Sequence, residues 1–318
     1  MNRGKINIYK TDEQACSCSQ ALHQSVLLKE VLEYFNPQPN ENFVDATVGA
    51  GGHALAILES IKPNGKLLGI DQNKKAIERL NYKFQNLNLR PRLVLVNDNF
   101  VNLSAIVEKQ KFGPINGIIA DLGLSTDLLE KSGRGFSFQK DEFLNMRFGE
   151  NGITAYEIIN QSSFKELSDL LKDYSEERFS GLIALNIVKN RRQAKIRTSK
   201  ELVDIIDKSV GKRVPARFKI KIFARIFQAI RIVVNNEIQN LEKFLTQSVD
   251  LLTEGGRIGV ISFHSIEDRI VKNFFRDKNK IGTLKILTVK PIIAKSEEIE
   301  NNSRSRSAKF RVAQKINY

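Results

Sequence analysis

The fold is decided at residues 45–54, Asp-Ala-Thr-Val-Gly-Ala-Gly-Gly-His-Ala. This stretch starts inside a short apolar run that predicts a strand, and it opens an amphipathic pattern that predicts a helix. Gly49, Gly51 and Ala54 match the G-x-G-x-x-G/A spacing, which lets the backbone approach a ligand at a helix N-terminus. The context predicts a strand, a tight turn and a helix within an α/β sheet, with a nucleoside cofactor at the turn.

A second carboxylate supports the same interpretation. Asp71 ends the next predicted strand, where it can accept hydrogen bonds from two ribose hydroxyls. The structural alternative is a glycine turn beside a surface aspartate. An acidic residue at this position suits an unphosphorylated ribose, so NADP is disfavoured, while NAD and S-adenosylmethionine both stay open. No Gly-Lys-Ser/Thr follows the glycines, which excludes a P-loop.

The sequence around this site alternates short apolar runs with longer amphipathic ones. Such alternation is typical of βαβ units around a parallel sheet. We expect Gly255-Gly256 to stop a long helical pattern that follows Pro215, and Ser265 to cap a later helix, with Asp268 three residues on. Strands are predicted at 43–47, 66–71, 92–97, 115–122 and 257–263, helices at 52–61, 73–86, 100–109, 164–172, 176–189 and 266–275, and a closing hairpin at 283–289 and 308–315.

The alternation is interrupted once. Residues 126–216 contain helical patterns and no convincing buried strand, which predicts a helical insertion. We therefore expect an α/β, Rossmann-like fold with a mostly parallel sheet built from residues 21–125 and 217–318, and a smaller helical domain inserted at 126–216. Residues 1–20 are polar and unpatterned, and they predict a flexible tail.

Composition excludes several classes of protein. Of the 318 residues, 41% are hydrophobic and 27% are charged, which is typical of a globular chain and excludes wholesale disorder, collagen and small disulfide scaffolds.

The cysteines and histidines indicate the compartment and the absence of a zinc pattern. Cys16 and Cys18 close no useful loop, so we expect a reducing cytoplasm. No run reaches the ~18 apolar residues needed to span a bilayer. We expect no metal, because three widely spaced histidines and two clustered cysteines do not form a zinc pattern.

The positive charge is concentrated in one segment. The chain has a formal net charge of +14, and residues 190–225 contain twelve Lys or Arg against three acids. Arg217, Lys221 and Arg225 recur every four residues and form one stripe of a predicted helix. A merely solvated helix face would carry more interspersed acids. The segment favours a nucleic-acid partner, and five or six contacts to single-stranded phosphates would give a salt slope of roughly −4.

Four further residues lie where the predicted strands end. Asp121 follows the fourth strand at the edge where ligands bind in open α/β sheets, and it suits either chemistry or a helix cap. Asp98 and Phe100 are placed to meet an adenine, or to serve as a helix cap and a core anchor. His264 could line the pocket opposite Asp121, although a lone histidine at a strand end is more often a structural hydrogen-bonding group.

Several segments together resemble one family. The Arg-Gly-Phe-Ser-Phe at 134–138 and the Phe-His-Ser-Ile-Glu-Asp-Arg at 263–269 are not generic to Rossmann-like folds. In order and spacing, the chain from 23 to 314 resembles the RsmH (MraW) family. The resemblance rests on residues 23–28, 45–53, 121–125, 134–138, 227–232, 262–269 and 303–311.

The resemblance implies a class I methyltransferase that uses S-adenosylmethionine to modify the exocyclic N4 of a decoding-centre cytidine in bacterial 16S ribosomal RNA. It implies that the helical insertion recognises the substrate. Leu128 stands where the family often has a cofactor-contacting Gln, and Asn145 where it usually has Asp, so neither position is assigned a role. The family's cofactor-contacting positions correspond to Gly51, Gly52, His53, Asp71, Phe100 and Asp121.

For this chemistry we expect Asp121, or a backbone carbonyl in 121–125, to accept the amino hydrogens of the cytosine as the catalytic step. Phe136 and Phe138 could stack on an extruded base, or belong to the core of the insertion.

Two other functions stay open as alternatives. They are an NAD-dependent oxidoreductase and a non-catalytic RNA-binding assembly factor of the small ribosomal subunit. The sequence does not determine the oligomeric state, and a homodimer stays open.

Overall fold

Within the part of the chain that the structure describes, seven strands form one sheet. The structure is a computed structural model that describes residues 25–85, 90–124, 128–129 and 132–316. The predicted tail at 1–20, the two cysteines, His23 and Ser125 lie outside these residues. The strands are β1 Phe43–Asp45, β2 Leu67–Asp71, β3 Leu93–Asn97, β4 Ile115–Asp121, β5 Leu252–Ser262, β6 Leu284–Ile286 and β7 Lys309–Lys315. Their order across the sheet is β3-β2-β1-β4-β5-β7-β6.

The strand pairing confirms the predicted mostly parallel, Rossmann-like sheet. Strands β1 to β5 pair in parallel, whereas β7 runs antiparallel to both β5 and β6. The predicted closing hairpin is therefore the β6–β7 pair. The helices are α1 Leu28–Phe35, α2 Gly52–Ser60, α3 Lys74–Gln85, α4 Leu103–Gln110, α5 Ala155–Gln161, α6 Phe164–Ser175, α7 Ser180–Arg191, α8 Ser199–Val210, α9 Ala216–Val234, α10 Glu237–Leu251, α11 Ser265–Lys280 and α12 Ser296–Asn301.

Buried apolar side chains form three clusters. Two of them cover the sheet, and consecutive residues of β4 divide between them, with Ile118 in one and Ile119 in the other, as the alternation of a strand requires. The third lies within the helices between β4 and β5. Helix α9 contributes Ile226 and Ile230 to this helical cluster, although the predicted division at 216/217 assigns these residues to the sheet. The domain limits stay a prediction.

Two local predictions at helix ends are wrong. The cap of α11 is His264 rather than Ser265, because the His264 ring accepts the Glu267 N–H at 3.3 Å and a Glu267 oxygen accepts the His264 N–H at 3.3 Å. Asp268 pairs instead with Arg311 on β7, at 2.6 Å. Gly255 and Gly256 lie inside β5 and do not end α10, which stops earlier, at Leu251.

The long helical pattern after Pro215 folds as two helices. Asn236 adopts a left-handed conformation with φ of 50°, which ends the run between α9 and α10. The Asn235 side chain fixes this corner, since its Oδ1 accepts the Phe148 N–H at 2.8 Å and its Nδ2 donates to the Met146 carbonyl at 2.8 Å.

In the described residues, none of the helices has the length and apolarity needed to cross a lipid bilayer.

Candidate functional site

A cavity of about 840 Å³ lies at the carboxyl edge of the parallel strands. Residues just beyond β1 to β5 line one side of it, and the α9–α10 corner lines the other. This edge includes the point between β1 and β4 where the strand order reverses, the usual ligand position in open α/β sheets. Of the six predicted cofactor residues, five line the cavity, namely Gly52, His53, Asp71, Phe100 and Asp121.

Gly51 shapes the turn and is not one of the residues that line the cavity. It adopts φ of 80°, and its N–H donates to the Val48 carbonyl at 2.7 Å. A Cβ added here would lie 2.6 Å from Leu80 Cδ2 and 3.0 Å from Phe84 Cζ on α3. Glycine is therefore required both by the backbone conformation and by the close packing of the turn on α3.

We expect Gly51→Ala to lower the free energy of unfolding by about 2 kcal/mol or more, from the left-handed conformation and the overpacking against Leu80. Urea denaturation measures this. Gly133→Ala is the matched control, because its φ is also positive, 67°, but nothing lies within 4 Å of its Cβ position. A loss no larger than that of the control would show that the contact with α3 does not constrain the turn.

His53 ties the turn to the segment before α1. Its side chain is buried, and Nε2 lies 2.9 Å from the Val26 carbonyl oxygen, so this nitrogen donates. His53 thus holds one wall of the cavity in place.

Asp71 presents a carboxylate that is already oriented by the backbone. One oxygen accepts the Gly49 N–H at 2.9 Å and the other accepts the Asn73 N–H at 2.8 Å. Burial raises the pKa of Asp71, while these two bonds and the nearby Arg79 oppose the rise. Each carboxylate oxygen has a second lone pair, so the group can also accept two hydroxyls of a ribose.

Phe100 contributes both to the core and to the cavity. Its ring packs edge-on against Phe244 with centroids 5.2 Å apart, and it also lines the cavity. Asp98 lines the cavity as well, but it is not the helix cap, because Asn99 Oδ1 accepts the Val101 N–H at 3.0 Å. Asp98 Oδ1 instead accepts from the Asn102 side chain at 2.8 Å.

Acidic groups cluster around the ends of β1, β2 and β4. Asp121 is partly buried, and its N–H donates to Thr47 Oγ1 at 2.6 Å. Asp45 is buried just below, and its Oδ1 accepts the Thr47 N–H at 3.1 Å. Burial, with the charges of Asp121 and Asp71, raises the pKa of Asp45 to about 7. A cationic ligand group in the cavity would relieve this repulsion.

The raised pKa of Asp45 predicts that the stability of the folded chain depends on pH. In the folded chain Asp45 keeps its proton up to about pH 7, whereas the unfolded chain loses it near 3.8. The contribution to stability is therefore complete below about pH 3.8 and is lost as the pH rises from there to about 7, at up to roughly 1.4 kcal/mol per pH unit. We expect Asp45→Asn to remove this loss, so that the variant gains Tm relative to wild type as the pH rises from 5 to about 7, with no further gain above that. Thermal unfolding across that range measures it, and parallel pH profiles would contradict it.

A partly buried ion pair on the far wall was assigned no role in the sequence analysis. Arg231 donates from Nε and Nη2 to the two oxygens of Glu237, at 2.7 and 2.8 Å. Glu267 lies close by and accepts the Phe263 N–H at 2.9 Å. Burial opposes the charge of Glu267, but His264 and Arg231 hold its pKa below its ordinary value. All but His264 line the cavity.

Glu237, His264 and Glu267 bring potential metal-ligand atoms within 4.8 Å of one another. Two contacts disfavour a metal there. His264 Nδ1 already accepts the Glu267 N–H, so the neutral ring carries its proton on Nε2, 3.1 Å from Glu267 Oε1. Both Glu237 oxygens are engaged by the Arg231 cation. The cluster is thus better described as an ion-pair network.

Other predicted residues lie elsewhere. His264 lines a separate groove of about 210 Å³, so its predicted place opposite Asp121 is wrong.

The two phenylalanines predicted to stack on a base lie in a group of packed aromatic rings. Phe136 is buried and stacks on Phe148 with centroids 5.7 Å apart, which supports the core alternative. Phe138 packs on Phe223 and Phe227. Of this aromatic group, only Phe148 lines the cavity.

The basic segment divides into cations used internally and cations left to solvent. Arg191 donates to the Ile159 and Ser162 carbonyls, Lys219 pairs with Asp207 at 2.7 Å, and Arg225 pairs with Glu177 at 3.3 Å. The exposed remainder includes Arg192, Lys195, Arg197, Lys200, Lys208, Lys212, Arg213, Arg217 and Lys221. The predicted stripe therefore presents Arg217 and Lys221 to solvent, with Arg217 over the Phe218 ring at 4.8 Å, whereas Arg225 is partly engaged.

Comparison with known proteins identifies a family from the sequence. A sequence model described as the MraW methylase family matches residues 20–316. The chain is 43% identical over 310 residues to a protein of Caldicellulosiruptor saccharolyticus named ribosomal RNA small subunit methyltransferase H, covering 92% of this chain and 99% of that protein. A protein of the same name from Sulfurihydrogenibium sp. is 44% identical over 295 residues, with the same coverage. The solved structure of TrmN from Thermus thermophilus aligns with a TM-score of 0.44 and 11% identity over 93% of this chain and 51% of that one.

Proposed function

The chain belongs to the MraW methylase family, and from this premise we propose that it transfers a methyl group from S-adenosylmethionine to the exocyclic N4 of a decoding-centre cytidine in 16S ribosomal RNA. The observation that supports this most directly is the single cavity shared by Asp71 and Asp121 at the carboxyl edge of the sheet. Family membership favours methyl transfer over the oxidoreductase and assembly-factor alternatives.

The residues of the cavity fit S-adenosylmethionine. Asp71 offers acceptors for the ribose hydroxyls, Phe100 an apolar surface for the adenine, and Gly52 and His53 the start of α2. The repulsion among Asp45, Asp71 and Asp121 would be eased by a sulfonium cation. When bound, S-adenosylmethionine supplies an electrophilic methyl group.

The protein's task is to hold the amino group and to localise its lone pair. In cytosine this lone pair is delocalised into the ring, so the exocyclic amino group is a poor nucleophile. We assign Asp121, or the neighbouring Leu122 carbonyl, the acceptance of the amino hydrogens, since both residues line the cavity. The Thr47 hydroxyl at 2.6 Å from the Asp121 amide fixes the backbone there. Transfer of the methyl group would release S-adenosylhomocysteine, and loss of the amino proton to the Asp121 carboxylate or to water would complete the reaction.

The RNA would contact the exposed cations of residues 190–225, and the helical insertion at 126–216 would recognise it. Ribosomal subunits place such an enzyme in the cytoplasm. Undermethylated small subunits incubated with methyl-labelled S-adenosylmethionine test the function as a whole. We expect label in cytidine N4 of the 16S RNA, and label confined to another base or another molecule would overturn the assignment.

The basic surface makes its own prediction. We expect Arg217→Ala with Lys221→Ala to weaken binding of a single-stranded RNA oligonucleotide and to reduce the salt slope of log affinity by about 1.4, since two phosphate contacts are lost. Fluorescence anisotropy at several salt concentrations measures both. The control is Asp207→Asn with Lys219→Gln, which removes a paired cation on the same helix without changing net charge. Equal slopes for wild type and the Arg217/Lys221 variant would exclude this surface.

A further inference from the structure

The Arg231–Glu237 pair lies in the cavity wall, and it has no part in the roles proposed for Asp71 and Asp121. The guanidinium is fixed by two bonds to Glu237, and its side chain is 15% exposed. No hydrogen bond engages Nη1 in the described part of the chain, although Arg231 lines the cavity. A partly buried arginine that keeps an unused donor beside a cavity can recognise an acceptor on a ligand.

The surrounding charges indicate what kind of acceptor fits. Arg231 is one cation beside two anions, Glu237 and Glu267. The net charge of this wall is negative, so it would repel the carboxylate of the methionine tail of S-adenosylmethionine. A neutral acceptor, such as a ring nitrogen or a base carbonyl, meets no such repulsion.

The position of Arg231 in the fold also favours the base. Helix α9 carries Arg231 at its cavity end and the exposed Arg217 at its other end, 14 residues earlier, or about 21 Å along the helix. The corner that follows Arg231 is fixed through Asn235 to the backbone of Met146 and Phe148. One rigid helix thus connects the proposed phosphate contacts with the cavity wall.

We propose that Arg231 is a specificity-determining residue that donates from Nη1 to the N3 and O2 acceptors of the target cytosine. This inference rests on the proposed function. Cytosine presents one donor group, N4, beside two acceptors, N3 and O2, and the cavity offers the complementary set: an acceptor at Asp121 or Leu122 and a donor at Arg231. Uracil has an N–H at position 3, which would oppose the arginine donor.

The test changes one atom of the RNA rather than the protein. A single-stranded RNA oligonucleotide with one cytidine is compared with its 3-deazacytidine version, which keeps the amino group and lacks the N3 acceptor. Fluorescence anisotropy with S-adenosylhomocysteine present gives the affinities. We expect wild type to bind the 3-deaza RNA roughly 5- to 100-fold more weakly, and Arg231→Gln to bind both RNAs equally. Equal binding by wild type, or undiminished discrimination by the variant, would overturn the proposal.

Calorimetry with S-adenosylmethionine tests the other role that the cavity allows for Arg231, which is binding of the cofactor. We expect Arg231→Gln to leave this affinity within about 2-fold of wild type, and Arg231→Lys to recover part of the discrimination. A parallel loss of S-adenosylmethionine binding would place Arg231 on the cofactor and refute its role on the base. Equal binding of the two RNAs by wild type refutes the inference even if the variants do not fold. Methylation of subunits without 3-deaza discrimination would refute only this inference and not the proposed function.

Discussion

Replacing Asp121 with Asn is expected to lower kcat for methylation of undermethylated small subunits by about 100-fold or more, the scale of a lost proton-accepting group. The substitution keeps the size of the side chain and the backbone bond from residue 121 to Thr47. It removes the negative charge and replaces one acceptor oxygen with a donor. The amino group would then face an N–H where it needs an acceptor. Single-turnover assays with saturating S-adenosylmethionine measure the effect.

Asp98→Asn is the matched control, because Asp98 is another carboxylate that lines the cavity. Its side chain is engaged by Asn102 and by the Asn99 backbone, and it is assigned no part in the chemistry. We expect Asp98→Asn to keep kcat near wild type once S-adenosylmethionine is saturating. Calorimetry on both variants shows whether cofactor affinity has changed. If Asp121→Asn retained full turnover and normal affinity, the assignment of the Asp121 carboxylate as the acceptor would be wrong.

The sheet was predictable because its signals are local. The apolar run before Asp45, the glycine spacing and the carboxylate at Asp71 are each read within a few residues, and they place one side of the cavity. The cap of α11 is also local, but it needs a histidine to act as a capping side chain. Ser265 is the usual residue type for that position, so residue preference predicted the wrong cap.

The other side of the cavity depends on contacts between distant segments. Arg231 and Glu237 are separated by a helix corner, and Glu267 lies on the helix that follows β5, which pairs with β4. Nothing in local patterning indicates that these charges meet. The only signal was that Arg231 and Glu267 fall within segments 227–232 and 262–269, two of those that carry the family resemblance. In the same way, charge counting could not show that Arg191 and Lys219 are engaged internally.

Replacing Asp71 with Ala is expected to weaken S-adenosylmethionine binding by about 100-fold or more. The loss of two charge-assisted bonds to ribose hydroxyls, at about 1.5 to 3 kcal/mol each, accounts for that change. Asp71 also accepts the Gly49 and Asn73 N–H groups, so the variant leaves two backbone donors without their acceptor and loses some stability.

The two effects of Asp71→Ala are separable because only the loss of binding depends on the ribose hydroxyls of the cofactor. Calorimetry is done at a temperature where urea denaturation shows the variant to be folded, and 2′-deoxy-S-adenosylmethionine is compared with the normal cofactor. Wild type should bind the deoxy compound more weakly, whereas the variant should bind both compounds alike. A variant that still distinguishes them as well as wild type would show that another group holds the ribose and that Asp71 serves only the turn. Gly51→Ala is the matched control here, because it disturbs the same turn while leaving the Asp71 carboxylate in place, and it should preserve the discrimination.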